Sequence, residues 1–407
     1  MRLYNTATGM IEPLSVRDNT VSMYVCGVTP YDTTHIGHGF TYVAFDTLAR
    51  HLAHKGHDVR YVQNVTDIDD DILKRAARDN VPWDTLGREQ TTIYLRDMAA
   101  LNVTSPELYV RATHETPAMV TIAATLLDRG DAYERNGSVY FRMSADPALG
   151  QRLAHLDYAH MLETANQNGN HPDDPNKDDP LDFVLWQRSL PDEPSWESPW
   201  GPGRPGWHVE CSAIALTYLG QQIDIHGGGS DLIFPHHSCE IAQSEHYTGL
   251  APFVRLWMHT AMVRQDGEKM SKSLGNVTFV RDVLRDHHPD ALRLYLLDHH
   301  YRAVWEYQPD GPGHMDAPVA RLREAAGVRS GRHGHLDVSP QKNRFYAAMD
   351  DDLGTPAAVV ACHEVGEAIL RAAETNGDVE DAQQTLRDMA AVLGLWLDTT
   401  PAAVGRS

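Results

Sequence analysis

The sequence predicts an α/β fold built on a parallel β-sheet. The run VSMYVCGV at residues 21–28 is apolar and rich in β-branched residues, which indicates a buried strand. A helical pattern follows over FTYVAFDTLARHLAHKG, with Gly56 at its end, and DVRYVQNV predicts a second strand. Strand, helix and strand within about 45 residues form a βαβ unit. Such units place ligand sites at the carboxyl ends of the strands.

Length and composition indicate a globular chain of roughly two or three domains. It has 407 residues, of which 42% are hydrophobic and 22% are charged. No segment is apolar for long enough to span a membrane, and the first residues lack the pattern of a signal peptide. We therefore expect a cytoplasmic protein with no membrane partner. The cysteines are too few and too scattered for a disulfide framework, which favours metal binding or catalysis; they are Cys26, Cys211, Cys239 and Cys362.

The charge balance bears on possible partners. The chain carries 35 Lys and Arg against 56 Asp and Glu, a formal net charge of −21. Non-specific binding to nucleic acids depends on neutralising phosphates with basic side chains. A broad polyanion-binding face is therefore not expected, whereas a local basic patch is compatible with this net charge.

The rest of the chain alternates between helical and extended patterns. Residues 83–139 look mostly helical, and residues 166–179 are rich in Asn, Asp, Pro and Gly, which predicts a surface loop. A strand at LDFVLWQR, a helix at HVECSAIALTYLG and a helix over residues 236–247 follow. From Pro309 to the end only helical patterns occur, and this region holds 15 acidic and 9 basic residues.

The first chemistry-bearing motif is His35-Ile36-Gly37-His38, between the first strand and the first helix. The free N–H groups and the positive dipole end of a helix N-terminus suit a phosphate. Two imidazoles three positions apart add hydrogen-bond donors, and Gly37 lets a nucleotide approach the backbone. The alternative is a pair of surface histidines at a helix start.

The second motif is Lys269-Met270-Ser271-Lys272-Ser273. Its lysines and hydroxyls could hold a polyphosphate, although alone it could equally be a solvated basic turn. In this order along one chain, the two motifs resemble the signature pair of the class I aminoacyl-tRNA synthetases. The resemblance implies a Rossmann-type catalytic core that binds ATP, with Mg²⁺, between the two loops and forms an aminoacyl adenylate.

The same resemblance implies a domain plan. We expect a Rossmann-type catalytic domain over residues 1–262, interrupted by a helical insertion at about 83–180. A connecting segment that contains the second motif follows over residues 263–308, and a C-terminal helical domain covers residues 309–407. We expect the protein to be a monomer.

A third group, Cys26, Cys211, His236 and Glu240, has the composition of a zinc site. Cys26 ends the first strand, and His236 and Glu240 are four positions apart on one face of a predicted helix. Two thiolates, an imidazole and a carboxylate suit Zn²⁺. Because the two cysteines are far apart in the sequence, buried and inert thiols are the alternative.

Longer stretches, among them PSWESPWGPGRPGWHVEC and DIHGGGSDLIFPHH, resemble the cysteinyl-tRNA synthetase branch of this family. In that branch, one zinc ion per chain binds the equivalents of Cys26, Cys211, His236 and Glu240 and also the thiolate of the substrate, L-cysteine. A metal–thiolate bond separates cysteine from serine far better than an apolar pocket does.

The sequence resembles two branches of the family that differ in the acceptor of the activated cysteine, and the identity of the acceptor stays open. The stretch TPYDTTHIGH, the loop at residues 166–179 and HYR at residues 300–302 are similar to the cysteine ligase of the mycothiol pathway. That ligase couples cysteine to the amine of glucosaminyl-inositol. The chain also ends after one helical region, without the further module usual in the tRNA enzymes, whereas Glu240 is usually missing from the ligase branch. We expect the amino-sugar acceptor, with tRNA as the alternative.

The resemblance also assigns roles to individual residues. His35, His38, Lys269 and Lys272 are expected to stabilise phosphate charge during catalysis. A second set is expected to border cysteine and its adenylate: Cys26, Gly27, Val28, Thr29, Thr41, Asn64, Val65, Thr66, Trp207, Gly229, Ser230, Asp231 and Val263.

Three further features have competing interpretations. The loop at residues 166–179 suits a mobile lid over the acceptor site or a passive surface loop. Cys239, beside Glu240, lies off the predicted ligand face and is expected to be a bystander thiol. An acidic run suits either magnesium binding or simple solvation: Asp67, Asp69, Asp70 and Asp71.

Overall fold

The structure is a computed structural model that describes residues 1–16, 18–31, 34–270 and 275–397, with the backbone alone at Lys269. The strands are β1 (Arg2–Asn5), β2 (Met10–Pro13), β3 (Thr20–Val28), β4 (Asp58–Val65), β5 (Leu108–Arg111), β6 (Ala132–Arg135), β7 (Ser138–Phe141), β8 (Phe183–Arg188), β9 (Gly203–Pro205), β10 (Ile223–Gly229), β11 (Val254–Thr260), β12 (Val263–Gln265), β13 (Glu268–Lys269), β14 (Trp305–Glu306), β15 (His333–His335) and β16 (Gly377–Asp378). The α-helices are α1 (Ile36–His54), α2 (Asp70–Asp79), α3 (Trp83–Ala100), α4 (Thr116–Arg129), α5 (Tyr158–Gln167), α6 (Trp207–Leu219), α7 (Ser238–Thr248), α8 (Val280–Val283), α9 (Pro289–Leu297), α10 (Gly311–His314), α11 (Asp316–Gly327), α12 (Ser339–Asp350), α13 (Thr355–Glu374) and α14 (Glu380–Leu393).

A five-stranded parallel sheet in the order β11-β10-β3-β4-β5 forms the centre of the molecule, which confirms the predicted α/β fold. Helices cover both faces of this sheet, so β3 is buried on both sides. Met23 and Val25 of β3 face the apolar core that contains α1 and α9. Tyr24 and Cys26, which alternate with them, face the core that contains α6.

Helix α1 ends close to Gly56, as the sequence predicts, but it begins at Ile36, four residues before the predicted start at Phe40. The His35 side chain caps its first turn by accepting a hydrogen bond from the backbone N–H of His38 over 3.3 Å. The helix stops at Lys55, and Gly56 takes a φ of 87°, which glycine adopts without strain. The first phosphate motif therefore lies at the N-terminus of a 19-residue helix.

Residues 83–180 contain α3, α4 and α5, but the expectation of a helical insertion was incomplete. Strand β5 lies in this range and joins the central sheet beside β4. Strands β6 and β7 form a hairpin in an antiparallel sheet of order β6-β7-β8-β9. The helical interpretation was wrong for these three strands because each has four residues, too few to show a period-two alternation.

The C-terminal region is helical, as predicted, and packs onto helices that cover the central sheet. Helices α11 to α14 share one apolar core with α1 and α9. Residues 329–340 contain a short strand as well, β15, which pairs with β16. In the described part of the chain, no helix is both long and apolar enough to cross a bilayer.

A buried arginine ties this C-terminal region to the core. Arg293 of α9 is 0% exposed, pairs with the carboxylate of Asp46 on α1 and donates to the Leu101 carbonyl over 2.7 Å. It also donates to the carbonyl of Leu393, at the end of α14. Gly394 follows with a φ of 71°, and a Cβ there would lie 2.3 Å from the guanidinium. Position 394 therefore requires glycine, because its φ is positive and because a side chain would collide with the guanidinium of Arg293.

Most of the acidic run is structural, so simple solvation was wrong for it. Asp67 is buried and accepts from Arg111 Nε over 2.8 Å. Asp69 caps the first turn of α2, and Asp70 pairs with Arg204. These contacts hold the loop after β4 against two neighbouring elements, β5 and β9.

The loop at residues 166–179 is held by hydrogen bonds to the antiparallel sheet and to itself. Asp174 accepts from the Tyr140 hydroxyl over 2.8 Å, and Lys177 Nζ donates to the side-chain oxygen of Asn170 over 2.6 Å. Asp179 accepts from the Tyr158 hydroxyl over 2.9 Å. These contacts favour a fixed surface loop over a mobile lid.

Candidate active site

Three groups of predicted site residues meet at one edge of the central sheet. Strands β10, β3 and β4 are parallel neighbours, so their carboxyl ends lie side by side. These ends carry residues 229–231, 26–29 and 64–66. Thr41 comes in from α1 and bonds to Thr260 of β11 through hydroxyls 2.7 Å apart. Val263 is buried in β12, which belongs to a separate three-stranded sheet.

Cys26, Cys211, His236 and Glu240 converge in the interior, as the sequence predicts. One ligand atom from each lies within 4.8 Å of the others, and all four side chains are buried. The two sulfurs are 3.6 Å apart, and His236 Nε2 lies 3.3 Å from Cys211 Sγ. His236 Nε2 also lies 3.1 Å from an oxygen of Glu240.

His236 is not on the helix where it was predicted. It lies in a π-helical turn, Ile233–His237, and α7 begins only at Ser238. Phe234 breaks the helical backbone inside that turn, with φ −141° and ψ 134°. His236 and Glu240 still meet because the turn runs directly into α7.

Two further histidines approach the cluster, and sequence reasoning missed both. His237 Nε2 lies 3.2 Å from Cys26 Sγ, and His226 Nε2 lies 3.0 Å from the second oxygen of Glu240. Together with Cys26 and Glu240 they form an alternative ligand group within the same 4.8 Å limit. His237 directly follows the predicted ligand His236, and His226 lies ten positions before it, in β10. Their closeness to a predicted ligand in the sequence is the signal that could have identified them.

The charges of the cluster stabilise one another. Burial raises the pKa of the Glu240 carboxyl, but the imidazoles of His226 and His236 outweigh it and lower the pKa to about 2. Burial lowers the pKa of His236, whereas Cys211 and Glu240 raise it, to about 10 overall. Burial raises the pKa of Cys211, but a hydrogen bond with Cys26 and the charge of His236 lower it to about 6. Glu240 and Cys211 thus carry the negative charge that a metal cation requires, whereas the protonated His236 would have to release its proton to bind one.

The donor set fits a soft divalent metal ion. Burying several ionisable groups together is costly unless they are paired or bind a metal. Two thiols, one imidazole and one carboxylate match the ligand types of zinc. Cys239 belongs to neither candidate group and packs in the core of the antiparallel sheet, where burial raises the pKa of its thiol.

Close packing constrains the backbone beside the cluster. The Gly27 N–H donates to the side-chain oxygen of Asn64 over 2.7 Å, and the Asn64 amide donates to the Thr66 hydroxyl over 3.1 Å. A Cβ on Gly27 would lie 1.6 Å from the Asn64 carbonyl oxygen, so only glycine fits. The Trp207 ring lies 4.3 Å from the His236 ring, between centroids, at the start of α6.

The first motif is joined through the backbone to the segment that follows the second motif. The Ile36 N–H donates to the Thr278 carbonyl over 3.0 Å, and the Val280 N–H donates to the Thr34 carbonyl over 2.9 Å. These bonds flank an antiparallel bridge between His35 and Phe279.

The two histidine rings of the first motif stack with centroids 3.7 Å apart. Of the second motif, the backbone of Lys269 ends β13, whereas Lys272 lies outside the described residues.

Comparison with known proteins agrees with this geometry. Residues 12–311 match the family model of the class I (C) tRNA synthetase catalytic domain, and residues 344–398 match the DALR domain. A cysteine–tRNA ligase of Dehalococcoides mccartyi is 41% identical over 98% of this chain and 86% of its own.

Ligases named L-cysteine:1D-myo-inositol 2-amino-2-deoxy-alpha-D-glucopyranoside ligase are similar to this chain to the same degree. The protein from Parafrankia sp. is 45% identical over 95% of this chain and 87% of its own. The protein from Saccharopolyspora erythraea is 44% identical over 97% and 94%, respectively.

Solved structures with the same fold include a methionyl-tRNA synthetase of Mycobacterium tuberculosis in complex with methionyl-adenylate. It superposes with a TM-score of 0.64 at 17% identity and covers 92% of this chain and 88% of its own. At this identity the likeness shows the fold alone.

The chain therefore belongs to the class I aminoacyl-tRNA synthetase family, as its catalytic-domain match shows. Within that family it falls among the cysteine ligases, a group that includes relatives named for tRNA and relatives named for an amino-sugar acceptor.

Proposed function

We propose that this protein activates L-cysteine with ATP as cysteinyl adenylate and transfers it to the amine of an amino sugar, glucosaminyl-inositol. The observation that supports cysteine as the substrate is the buried group of Cys26, Cys211, His236 and Glu240. Those four residues would hold one Zn²⁺, and the bound ion would supply a soft Lewis acid that prefers a substrate thiolate to a hydroxyl.

The remaining site residues serve adenylate formation. The cysteine carboxylate attacks the α-phosphorus of ATP, the new O–P bond forms, and pyrophosphate leaves. His35 and His38 at the start of α1 would stabilise the phosphate charge together with Lys269 and Lys272, and Mg²⁺ would accompany ATP. The predicted adenylate-border residues at the ends of β3, β4 and β10, which are neighbouring strands, would border the acyl phosphate.

The acidic C-terminal region supports the small acceptor. Two arginines on its surface are paired with neighbouring carboxylates: Arg321 lies 2.8 Å from Glu367, and Arg344 pairs with Glu364. With 15 acidic against 9 basic residues from Pro309 onward, this region is a poor surface for phosphate contacts. The amino-sugar ligases at 44–45% identity agree with this choice.

A second candidate is transfer of cysteine to tRNA. Glu240 favours it, because this carboxylate completes the four-ligand group that resembles the tRNA enzyme. The relative from Dehalococcoides mccartyi named as a cysteine–tRNA ligase is consistent with it as well.

Two assays test the proposal in sequence. Cysteine-dependent exchange of pyrophosphate into ATP measures adenylate formation alone, and its absence would overturn both candidates. Offering tRNA and glucosaminyl-inositol in parallel then distinguishes the acceptors. We expect an amide product and no cysteinylated tRNA; the reverse result would replace the first candidate with the second.

The domain boundaries at residues 262 and 308, the monomeric state and the cytoplasmic location stay predictions from the sequence.

A further inference from the structure

A group of aromatic and charged side chains lies on chain segments that adjoin predicted site residues in the sequence, and the proposed adenylate formation assigns it no role. We call it the acceptor shelf, and it consists of Tyr31, Asp70, Trp83, Glu193, Trp196 and Arg204. We propose that the acceptor shelf binds the amino-sugar acceptor and directs its amine toward the cysteinyl adenylate. This inference rests on the proposed function and adds the place where its second substrate binds.

The aromatic part of the shelf is a pair of tryptophan rings. Trp83, at the start of α3, and Trp196 meet edge to face, with centroids 6.3 Å apart and an interplanar angle of 70°. Trp83 and Tyr31 are partly buried and pack on a small core of α2 and α3 residues. The rings are thus fixed by packing but still partly exposed, as a surface that receives a ligand must be.

The ionic part of the shelf surrounds a buried arginine. Arg204 is 5% exposed and pairs with Asp70, and its Nε lies 3.8 Å from an oxygen of Glu193. Within the described part of the chain, the Arg204 Nε–H has no hydrogen-bond acceptor. An unused buried donor is costly, so it indicates a further acceptor atom. The Asp70 and Glu193 side chains stay 43% and 24% exposed and can reach such a molecule.

Three residues of the shelf lie within a few sequence positions of predicted adenylate-site residues. Tyr31 follows Thr29 by two positions at the end of β3, and Arg204 precedes Trp207 by three positions. Asp70 follows Thr66 by four positions after β4. These three shelf residues therefore lie on direct continuations of segments that carry predicted site residues.

The chemistry of the shelf matches an aminated, polyhydroxylated ring. The apolar face of a sugar ring can pack on an indole, and an ammonium group is attracted to the face of tryptophan. Two carboxylates can accept hydrogen bonds from the amine and the hydroxyls, and Arg204 can donate to a hydroxyl oxygen. Two carboxylates against one arginine give the shelf a net negative charge, which disfavours a phosphate backbone.

In the reaction that the shelf would serve, the neutral amine nitrogen attacks the carbonyl carbon of cysteinyl adenylate. A C–N amide bond forms, the bond from that carbon to the phosphate oxygen breaks, and AMP leaves with the electron pair. The amine gives up one proton to water.

The experiment compares the two half-reactions in single variants. Trp83→Ala should raise the KM for glucosaminyl-inositol in amide formation by about tenfold, the equivalent of one lost aromatic contact. Trp83→Phe, which keeps a ring, should have a smaller effect, and Glu193→Gln should also raise this KM. Pyrophosphate exchange in the same variants reports whether the adenylate site is intact. Trp200→Ala is the control, because Trp200 lies in the same segment as Trp196 but its ring packs on Trp186, outside the Trp83–Trp196 pair.

The possible results distinguish a failure of the shelf proposal from a failure of the proposed function. If Trp83→Ala and Glu193→Gln form the amide with an unchanged KM for the amino sugar, the shelf is wrong and the proposed function stands. If the unmodified protein exchanges pyrophosphate but cysteinylates tRNA and forms no amide, the proposed acceptor is wrong. The proposal that the shelf binds this acceptor is then wrong as well. A KM that rises in the shelf variants and not in Trp200→Ala, with exchange retained, supports both.

Discussion

The sulfur of Cys26 lies 3.6 Å from the sulfur of Cys211, although 185 positions separate them in the chain. The contact forms because Cys26 ends β3 on the face that α6 covers, and Cys211 is in the first turns of α6. The candidate metal centre therefore depends on the packing of the central sheet and not on a local sequence motif.

Glu240 should be needed for firm metal retention. Glu240→Ala removes one of four donors and leaves the imidazole of His226 without its carboxylate partner, so metal affinity should fall by at least about tenfold. Zinc content after dialysis against a chelator measures the effect. Cys239→Ala, on the same turn of α7 but outside both ligand groups, should keep its zinc. Equal zinc in the two variants would mean that three ligands suffice.

Substitution can show which of the two candidate ligand groups binds the metal. His236→Asn should lose zinc under conditions in which His237→Asn retains most of it, because the proposed group contains His236 with both cysteines. Metal analysis and the rate of cysteine-dependent exchange should change in parallel. The opposite order of loss would assign the metal to the group of Cys26, His226, His237 and Glu240.

Gly27 should tolerate no side chain. The methyl group of Gly27→Ala would overlap the Asn64 carbonyl, 1.6 Å from the Cβ position. Forcing the two strands apart should cost about 1–3 kcal/mol or more in the free energy of unfolding and disturb the adenylate site. Urea unfolding measures the first effect and pyrophosphate exchange the second. Gly327→Ala is the control, since nothing lies within 4 Å of its Cβ position, and an equal loss of stability there would contradict the argument.

Arg293 should be essential for stability. Arg293→Met leaves the buried carboxylate of Asp46 without its partner, which should lower the free energy of unfolding by about 3–5 kcal/mol. Arg321→Met, which removes an exposed ion pair with Glu367, should unfold at nearly the same urea concentration as the unmodified protein. Similar unfolding midpoints for the two variants would show that Arg293 contributes no more than a surface charge.

The sequence allowed the long elements and the candidate metal-ligand group to be predicted. Strands β3 and β4 and helix α1 each have a pattern long enough to be recognised, and Gly56 marks the end of α1. The ligand group was predicted from the resemblance to a family and not from spacing, because no local rule brings Cys26 to Cys211. The packing of β3 against α6 explains afterwards why they meet.

Other features could not be predicted because they depend on contacts between distant residues. Strand β5 is four residues long and is defined by its pairing with β4. His226 and His237 join the cluster only because β10 and the turn before α7 lie beside Cys26. Asp67 was predicted to lie in a solvated loop, because its partner, Arg111, is 44 positions away in the sequence.

The bridge between His35 and Phe279 limits how this enzyme can be recombined with its relatives. The start of α1 and the segment that follows the second motif share hydrogen bonds on both sides of that bridge. A chimaera with a crossover between these two segments would combine residues from two parents that did not evolve in contact with each other. Functional hybrids should therefore inherit residues 34–36 and 278–280 from one parent, which makes this pair of segments a single unit of exchange.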